Sequence, residues 1–226
     1  SIHMYITGSI DSTPGESSTY NHAPELTTHA ATNASIALMM FCRRIWSYDP
    51  NRKYADVVEL ALYNTVLAGV SLSGDLFFND NSLAEGSKEN RSRLVRTREY
   101  DGSCDPSNWL HVIGYLADYM YSVQYKTIFA HCYMGWRATI ELGSKVVRLF
   151  QETQYPNDGS INIQFEDNIK SGLALRIPAW CRSWTVTVNG EIQQLEIRED
   201  YAHLERDWHA GDHVKLDLEM IPRLYR

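Results

Sequence analysis

Apolar positions recur with two different periods along the chain, and the change falls near residue 125. Over residues 24–122 the spacing is helical. A first helix is predicted to open at Pro24, where proline suits a first turn and Glu25 meets the positive end of the helix dipole. Ala34, Leu38, Phe41 and Ile45 would form its buried stripe, and Asp49-Pro50-Asn51 would end it. A second helix over 52–68 places Tyr54, Val57, Val58, Ala61, Leu62, Thr65 and Val66 on one side, with Gly69 as its stop. Residues 71–103 are polar and irregular apart from the strand-like Leu76-Phe77-Phe78. A third helix is predicted from Pro106 to about Ser122, burying Leu110, Ile113, Gly114, Ala117 and Tyr121.

From about residue 127 the period becomes two. Strands are predicted at 128–134, 136–142, 146–153, 161–166, 173–177, 185–188, 202–205 and 214–218. Turn signals separate them: Asn157-Asp158-Gly159, Asn189-Gly190 and Ala210-Gly211-Asp212. Asn-Gly favours a tight hairpin because both residues tolerate positive φ. Short strands at this spacing imply a sandwich. The fold class is therefore a two-part α+β chain, with helices over 1–124 and an antiparallel β-sandwich over 125–226. Three helices cannot bury all their apolar faces alone. Further helices before residue 1, or a partner such as a second copy in a homodimer, would cover them. Ser1 to Gly8 has neither a charged nor an apolar signal-peptide region and reads as the interior of a structured element, so the chain is read as a fragment.

Composition narrows the functions. The 226 residues carry a net charge of -7 with no basic run, which argues against nucleic acid. No apolar stretch approaches the roughly 20 residues of a membrane span. Fourteen Tyr and six Trp serve core packing or form platforms for sugar rings; the sequence leaves both readings open. Cys42, Cys104, Cys132 and Cys181 are widely spaced, without the pattern of a disulfide scaffold or zinc finger. Reduced thiols, and with them a cytoplasmic location, are the expectation.

Two residues stand out chemically. Glu16 lies in a hydroxyl-rich loop, Gly15-Glu16-Ser17-Ser18-Thr19-Tyr20. It is either a solvated carboxylate or, if burial weakens its acidity, a proton donor for glycoside cleavage. Cys104 precedes a predicted helix start at Asp105-Pro106. It is either a small buried filler or a thiolate favoured by the helix terminus, competent as nucleophile or zinc ligand. His22, His29, His111 and His131 are scattered without metal-ligand spacing and read as structural. Trp109 is the aromatic that could contact a sugar.

The segments Gln151-Glu152-Thr153-Gln154-Tyr155-Pro156-Asn157-Asp158-Gly159, Leu173 to Cys181 (which contains Arg176-Ile177-Pro178-Ala179-Trp180) and Val186-Thr187-Val188-Asn189-Gly190 occur in that order. With Tyr5-Ile6-Thr7-Gly8, Leu62-Tyr63-Asn64 and Leu67 to Leu72 upstream, the chain resembles glycoside hydrolase family 127, the β-L-arabinofuranosidase family. The resemblance implies an (α/α) toroid followed by β-sandwich domains, of which this chain would hold the last toroid helices and a sandwich. It implies a retaining glycosidase acting on an arabinose-containing oligosaccharide or glycoside. The family's acid/base falls on Glu16, and its thiol nucleophile, also a zinc ligand, on Cys104.

The implied zinc set departs from the family. Its second thiol corresponds to Asp105, and alignment on Pro24 and Ala34-Ser35 places the other two ligands at Ala31 and Asn33. Zinc prefers four strong donors, and a methyl group, an amide, a carboxylate and one thiolate are expected to hold it poorly. Two functional expectations follow: a glycosidase using Glu16 and Cys104, or a non-catalytic relative serving as a carbohydrate-binding or assembly module.

Overall fold

The structure is a computed structural model that describes residues 4–10, 32–78, 96 and 106–222. The chain divides into two compact units, Ser1–Arg44 with Val57–Tyr115, and Ile45–Asp56 with Leu116–Arg226.

The first unit is helical. Helix α1 spans Thr32–Trp46 and helix α2 spans Arg52–Ala61, continued by one π-helical turn at Leu62–Val66. Helix α3 spans Pro106–Gly114. The predicted opening at Pro24 lies outside the described residues; over α1 the helical period holds, but its phase does not. Ile36, Met39, Cys42 and Trp46 are buried, whereas Phe41 is 60% exposed. The run Ile36-Ala37-Leu38-Met39-Met40-Phe41-Cys42 is apolar on every side, so spacing alone could not select the inward face. Most of the face read for α2 holds: Val58, Ala61, Leu62, Thr65 and Val66 are buried, while Tyr54 and Val57 are half-buried. Asn51 begins that helix rather than merely ending the previous one, since its Oδ1 accepts a hydrogen bond from the Lys53 N–H at 3.1 Å. Gly69 follows the π turn because a Cβ there would press on the carbonyl oxygens of Thr65 and Val66.

Helix α3 is shorter than its spacing predicts. It stops at Gly114, a 3₁₀ turn covers Leu116–Tyr119, and Tyr121–Gln124 is strand β1 rather than helix. The buried stripe changes accordingly: Val112 is buried, while Leu110 and Ile113 are exposed. Tyr121–Gln124 pairs with Thr127–Ala130 across a two-residue loop, a hairpin that helical spacing does not reveal.

The second unit is a sandwich of two sheets. The five-stranded sheet has the order β1-β2-β6-β10-β9, adding β2 (Thr127–Ala130), β6 (Ile169–Arg176), β9 (Glu196–Arg198) and β10 (Tyr201–Trp208) to β1. The six-stranded sheet has the order β3-β4-β5-β11-β7-β8. Its members are β3 (Trp136–Leu142), β4 (Lys145–Thr153), β5 (Ser160–Phe165), β7 (Trp184–Val188), β8 (Glu191–Ile192) and β11 (His213–Leu218). Pairing is antiparallel except between β2 and β6. All eight predicted strands overlap observed ones; β1, β8 and β9 are additional.

The three turn signals fall where predicted. Asn189 and Gly190, with φ of 51° and 85°, form the two-residue loop between β7 and β8. Asp158 Oδ1 accepts from the Ser160 N–H before β5, and Asp212 Oδ2 accepts from the His209 N–H before β11. Gly159 admits no side chain, because a Cβ would collide with the Leu218 carbonyl oxygen.

Between the sheets, Phe165 of β5 stacks on Trp208 of β10 with centroids 4.1 Å apart. The five-stranded sheet also has a covered second face. Trp46 stacks on His131 at 4.3 Å. Asp56 receives the fully buried Arg176 guanidinium at 2.6 Å, and its other oxygen pairs with Arg52 at 3.2 Å. His131 bonds through Nδ1 to the Tyr201 hydroxyl and through Nε2 to Ser122 Oγ, each at 2.7 Å. Residues 45–56 thus belong with the strands, an assignment no local spacing predicts.

Candidate active site

The scaffold of the candidate site lies in the helical unit. Tyr5-Ile6-Thr7-Gly8 makes a tight turn between the bridged residues Met4 and Ile10. Gly8 has a φ of 81°, and a Cβ there would lie 2.7 Å from the Ala61 nitrogen, so glycine is required both by conformation and by the close approach to α2. Thr65 Oγ1 donates to the Thr7 carbonyl at 3.1 Å, fastening the turn to the π-helical segment. Glu16, six positions after Ile10 in the sequence, lies outside the described residues.

The first turns of α1 and α3 meet. Asn108 Nδ2 donates to Asn33 Oδ1 at 3.3 Å. Thr32 Oγ1, beside Asn33, donates to the Phe78 carbonyl at 3.3 Å. Ala31 directly precedes α1, and Cys104 and Asp105 directly precede α3; all three lie outside the described residues. Of the metal set implied by the resemblance, Asn33 is therefore the member with a described environment, an amide engaged with another amide. Among the described residues no three His, Cys, Asp or Glu side chains form a cluster able to hold a metal ion.

Trp109, the candidate sugar contact, packs within the helical unit. Its indole N–H donates to the Val66 carbonyl at 3.1 Å, and its ring stands edge-on to Phe77 at 5.7 Å. That carbonyl also accepts from the Gly69 N–H at 3.2 Å. Arg96 NH2 donates to the Ala68 carbonyl at 2.7 Å, and its guanidinium lies over the Phe78 ring at 4.3 Å. Asn108 and Arg96 were not singled out from sequence. Asn108 could have been noticed as a polar residue in the first turn of a helix starting at a thiol, whereas Arg96 sits in a polar stretch with no periodic signal.

The described cysteines do not compete for a nucleophilic role. Cys42, Cys132 and Cys181 are buried, and none forms a disulfide. Burial pushes the Cys42 thiol up to about 11, so it stays protonated at neutral pH. His131 is likewise structural: burial first, and the Arg176 charge second, lower its pKa to about 3. No described helix is long and apolar enough to cross a membrane.

Helices followed by a two-sheet sandwich define the class of protein, a partial α/α toroid with an appended β-sandwich. The profile "Beta-L-arabinofuranosidase, GH127 catalytic domain" matches residues 1–118, and "Beta-L-arabinofuranosidase, GH127 middle domain" matches residues 127–220. A non-reducing end β-L-arabinofuranosidase of Bifidobacterium longum subsp. longum is 31% identical over 235 residues, covering 96% of this chain and 35% of the relative. The solved structure of a GH127 β-arabinofuranosidase superposes with a TM-score of 0.90 at 30% identity, over 98% of this chain and 37% of that one. A GH127 β-L-arabinofuranosidase from Geobacillus stearothermophilus T6 gives a TM-score of 0.87 at 37% identity, over 97% and 36%. This chain belongs to glycoside hydrolase family 127, the β-L-arabinofuranosidase family. It spans about a third of the length of these relatives.

Proposed function

We propose that this chain is the acid/base- and thiol-bearing part of a retaining glycoside hydrolase acting on an arabinose-containing glycoside of the β-L-arabinofuranoside type. The observation that carries the reading is that the family's catalytic and middle-domain profiles match successive stretches of one chain, residues 1–118 and 127–220. In this reading the Cys104 thiolate attacks the anomeric carbon as Glu16 protonates the leaving oxygen, which breaks the glycosidic bond and leaves a thioglycoside on Cys104. Glu16, now a carboxylate, takes a proton from water; the hydroxide oxygen displaces sulfur and the thiolate is regenerated. Helix α3, opening at Pro106, favours the thiolate by its dipole, while the neighbouring Asp105 carboxylate opposes it.

The residues at the family's zinc positions do not fit zinc. Ala31 has no donor, Asn33 offers an amide oxygen already accepting from Asn108, and one thiolate with one carboxylate makes a weak set. The same donor set favours a second reading, a family member that binds carbohydrate or assembles with another polypeptide without turnover.

Release of the aryl group from an aryl β-L-arabinofuranoside distinguishes the two. The glycosidase reading expects turnover by the chain and its loss in both Cys104→Ala and Glu16→Gln. Cleavage by both variants at the parent rate ends it. The second reading expects no hydrolysis and no stoichiometric zinc, and one zinc per chain on metal analysis would remove its motivation.

A further inference from the structure

The sandwich carries a cavity of about 1040 Å³ at the end where the β1–β2 and β3–β4 turns lie. Its lining runs against the charge of the chain. Lys126, Lys145, Lys170 and Arg206 contribute four cations, and Glu205 and Asp207 two carboxylates, within a protein of net charge -7. Lys170 approaches Asp207 at 3.9 Å, and the Arg206 guanidinium lies over the Trp208 ring at 5.3 Å. Lys126 and Lys145 are exposed and have no carboxylate partner among the described residues. Two ammonium groups therefore face the cavity uncompensated.

One further observation points to a ligand. Tyr125, in the same lining, is 92% exposed. It occupies the first central position of the β1–β2 loop with φ of 56°, where glycine is the usual residue. An aromatic ring is held out at a position whose backbone disfavours it.

We propose that this cavity binds an acidic oligosaccharide, one whose sugar rings carry carboxylates. The volume exceeds that of a simple anion and suits a short run of sugar rings. Lys126 and Lys145 meet the ligand carboxylates, Glu205 accepts from a ring hydroxyl, and Tyr125 offers a face to a ring. Neither glycoside cleavage nor any residue of the helical unit enters this proposal, so it stands or falls separately from the reading above.

The test is isothermal titration of the 226-residue chain with trigalacturonate, with its fully methyl-esterified form, and with a sulfated trisaccharide of neutral sugars. Trigalacturonate is expected to bind at one per chain, and the ester about tenfold more weakly. The double variant Lys126→Ser/Lys145→Ser, at exposed positions that leave the core intact, is expected to weaken trigalacturonate about tenfold and to flatten its salt dependence. Absence of binding, equal binding of the ester, or unchanged affinity in the lysine variant overturns the proposal. Equal affinity for the sulfated probe also overturns it, by showing a site for anions in general.

Discussion

The two sheets of the sandwich are built by different rules. In the six-stranded sheet burial alternates: along β3, Ala138, Ile140 and Leu142 are buried while Arg137, Thr139 and Glu141 are exposed. The strands β4, β5 and β11 follow the same pattern, so one face is covered and the other meets solvent. In the five-stranded sheet, β6 is buried at every position after Lys170. Leu173 and Leu175 fill one face, and Ala174 and Arg176 lie on the other beneath residues 45–56. The first sheet buries mostly apolar side chains, with Gln151 a buried amide bonded to the Tyr121 hydroxyl and the Met134 carbonyl. The second adds a dry polar network in which one guanidinium, one imidazole and two aromatic hydroxyls are each satisfied by named partners.

That difference is most sharply broken at Arg176. Its side chain is fully buried, with Nε donating to the His131 carbonyl and NH1 to Asp56, while the Tyr133 hydroxyl donates to its own carbonyl at 2.6 Å. Asp56 is 22% exposed and keeps Arg52 when Arg176 is lost, but the buried His131 carbonyl loses its Nε donor and the apolar surroundings lose a fully buried side chain. Arg176→Met is therefore expected to cost about 3 kcal/mol in urea-induced unfolding, the largest single effect in the sandwich. A single variant within about 1 kcal/mol of the parent would show that the second face contributes little.

The same difference decides what the sequence made legible. Alternation marks β3, β4, β5, β7 and β11, and Asn189-Gly190 marks a hairpin, because each signal is local. Strand β1 was read as helix, since Tyr121-Ser122-Val123-Gln124 acquires its strand character from pairing with β2. The assignment of residues 45–56 to the sandwich depends on Asp56 reaching Arg176, 120 residues away. In α1 the helix was legible but its inward face was not, because apolar residues surround it. The candidate site divides similarly. Glu16 and Cys104 came from loop and helix-start chemistry together with family resemblance. The pairing of Asn33 with Asn108 joins two helix starts 75 residues apart and had no local signal.

A smaller effect separates the faces by pH. His131 is neutral in the fold, with a pKa lowered to about 3, chiefly by burial. In the unfolded chain it binds a proton below about 6.5. Between those values the unfolded state holds the extra proton, so stability is fully present above pH 6.5 and falls as pH drops towards 3, by at most about 1.4 kcal/mol per pH unit from this group. Unfolding free energies measured from pH 7 to pH 4.5 are expected to decline less steeply in His131→Gln than in the parent. Identical slopes would mean that another group carries the acid sensitivity.

The smallest expected effect contrasts one hairpin from each sheet and has opposite signs in the two. Gly190 closes the β7–β8 hairpin of the six-stranded sheet at φ of 85°, with nothing within 4 Å of where a Cβ would stand. Gly190→Ala therefore meets only backbone strain, and is expected to lower stability by about 1 kcal/mol. Tyr125 closes the β1–β2 hairpin of the five-stranded sheet at φ of 56°, where the side chain rather than its absence is the strained choice. Its ring is 92% exposed, so little packing is lost on removal. Tyr125→Gly relieves the left-handed strain, offset in part by the greater backbone freedom of glycine in the unfolded chain, and is expected to raise stability by about 0.5 kcal/mol. Paired thermal melts of the two variants measure this directly. If Tyr125→Gly destabilises the protein as much as Gly190→Ala does, the exposed tyrosine is there for the fold, and the case for its ring as a ligand contact loses its backbone argument.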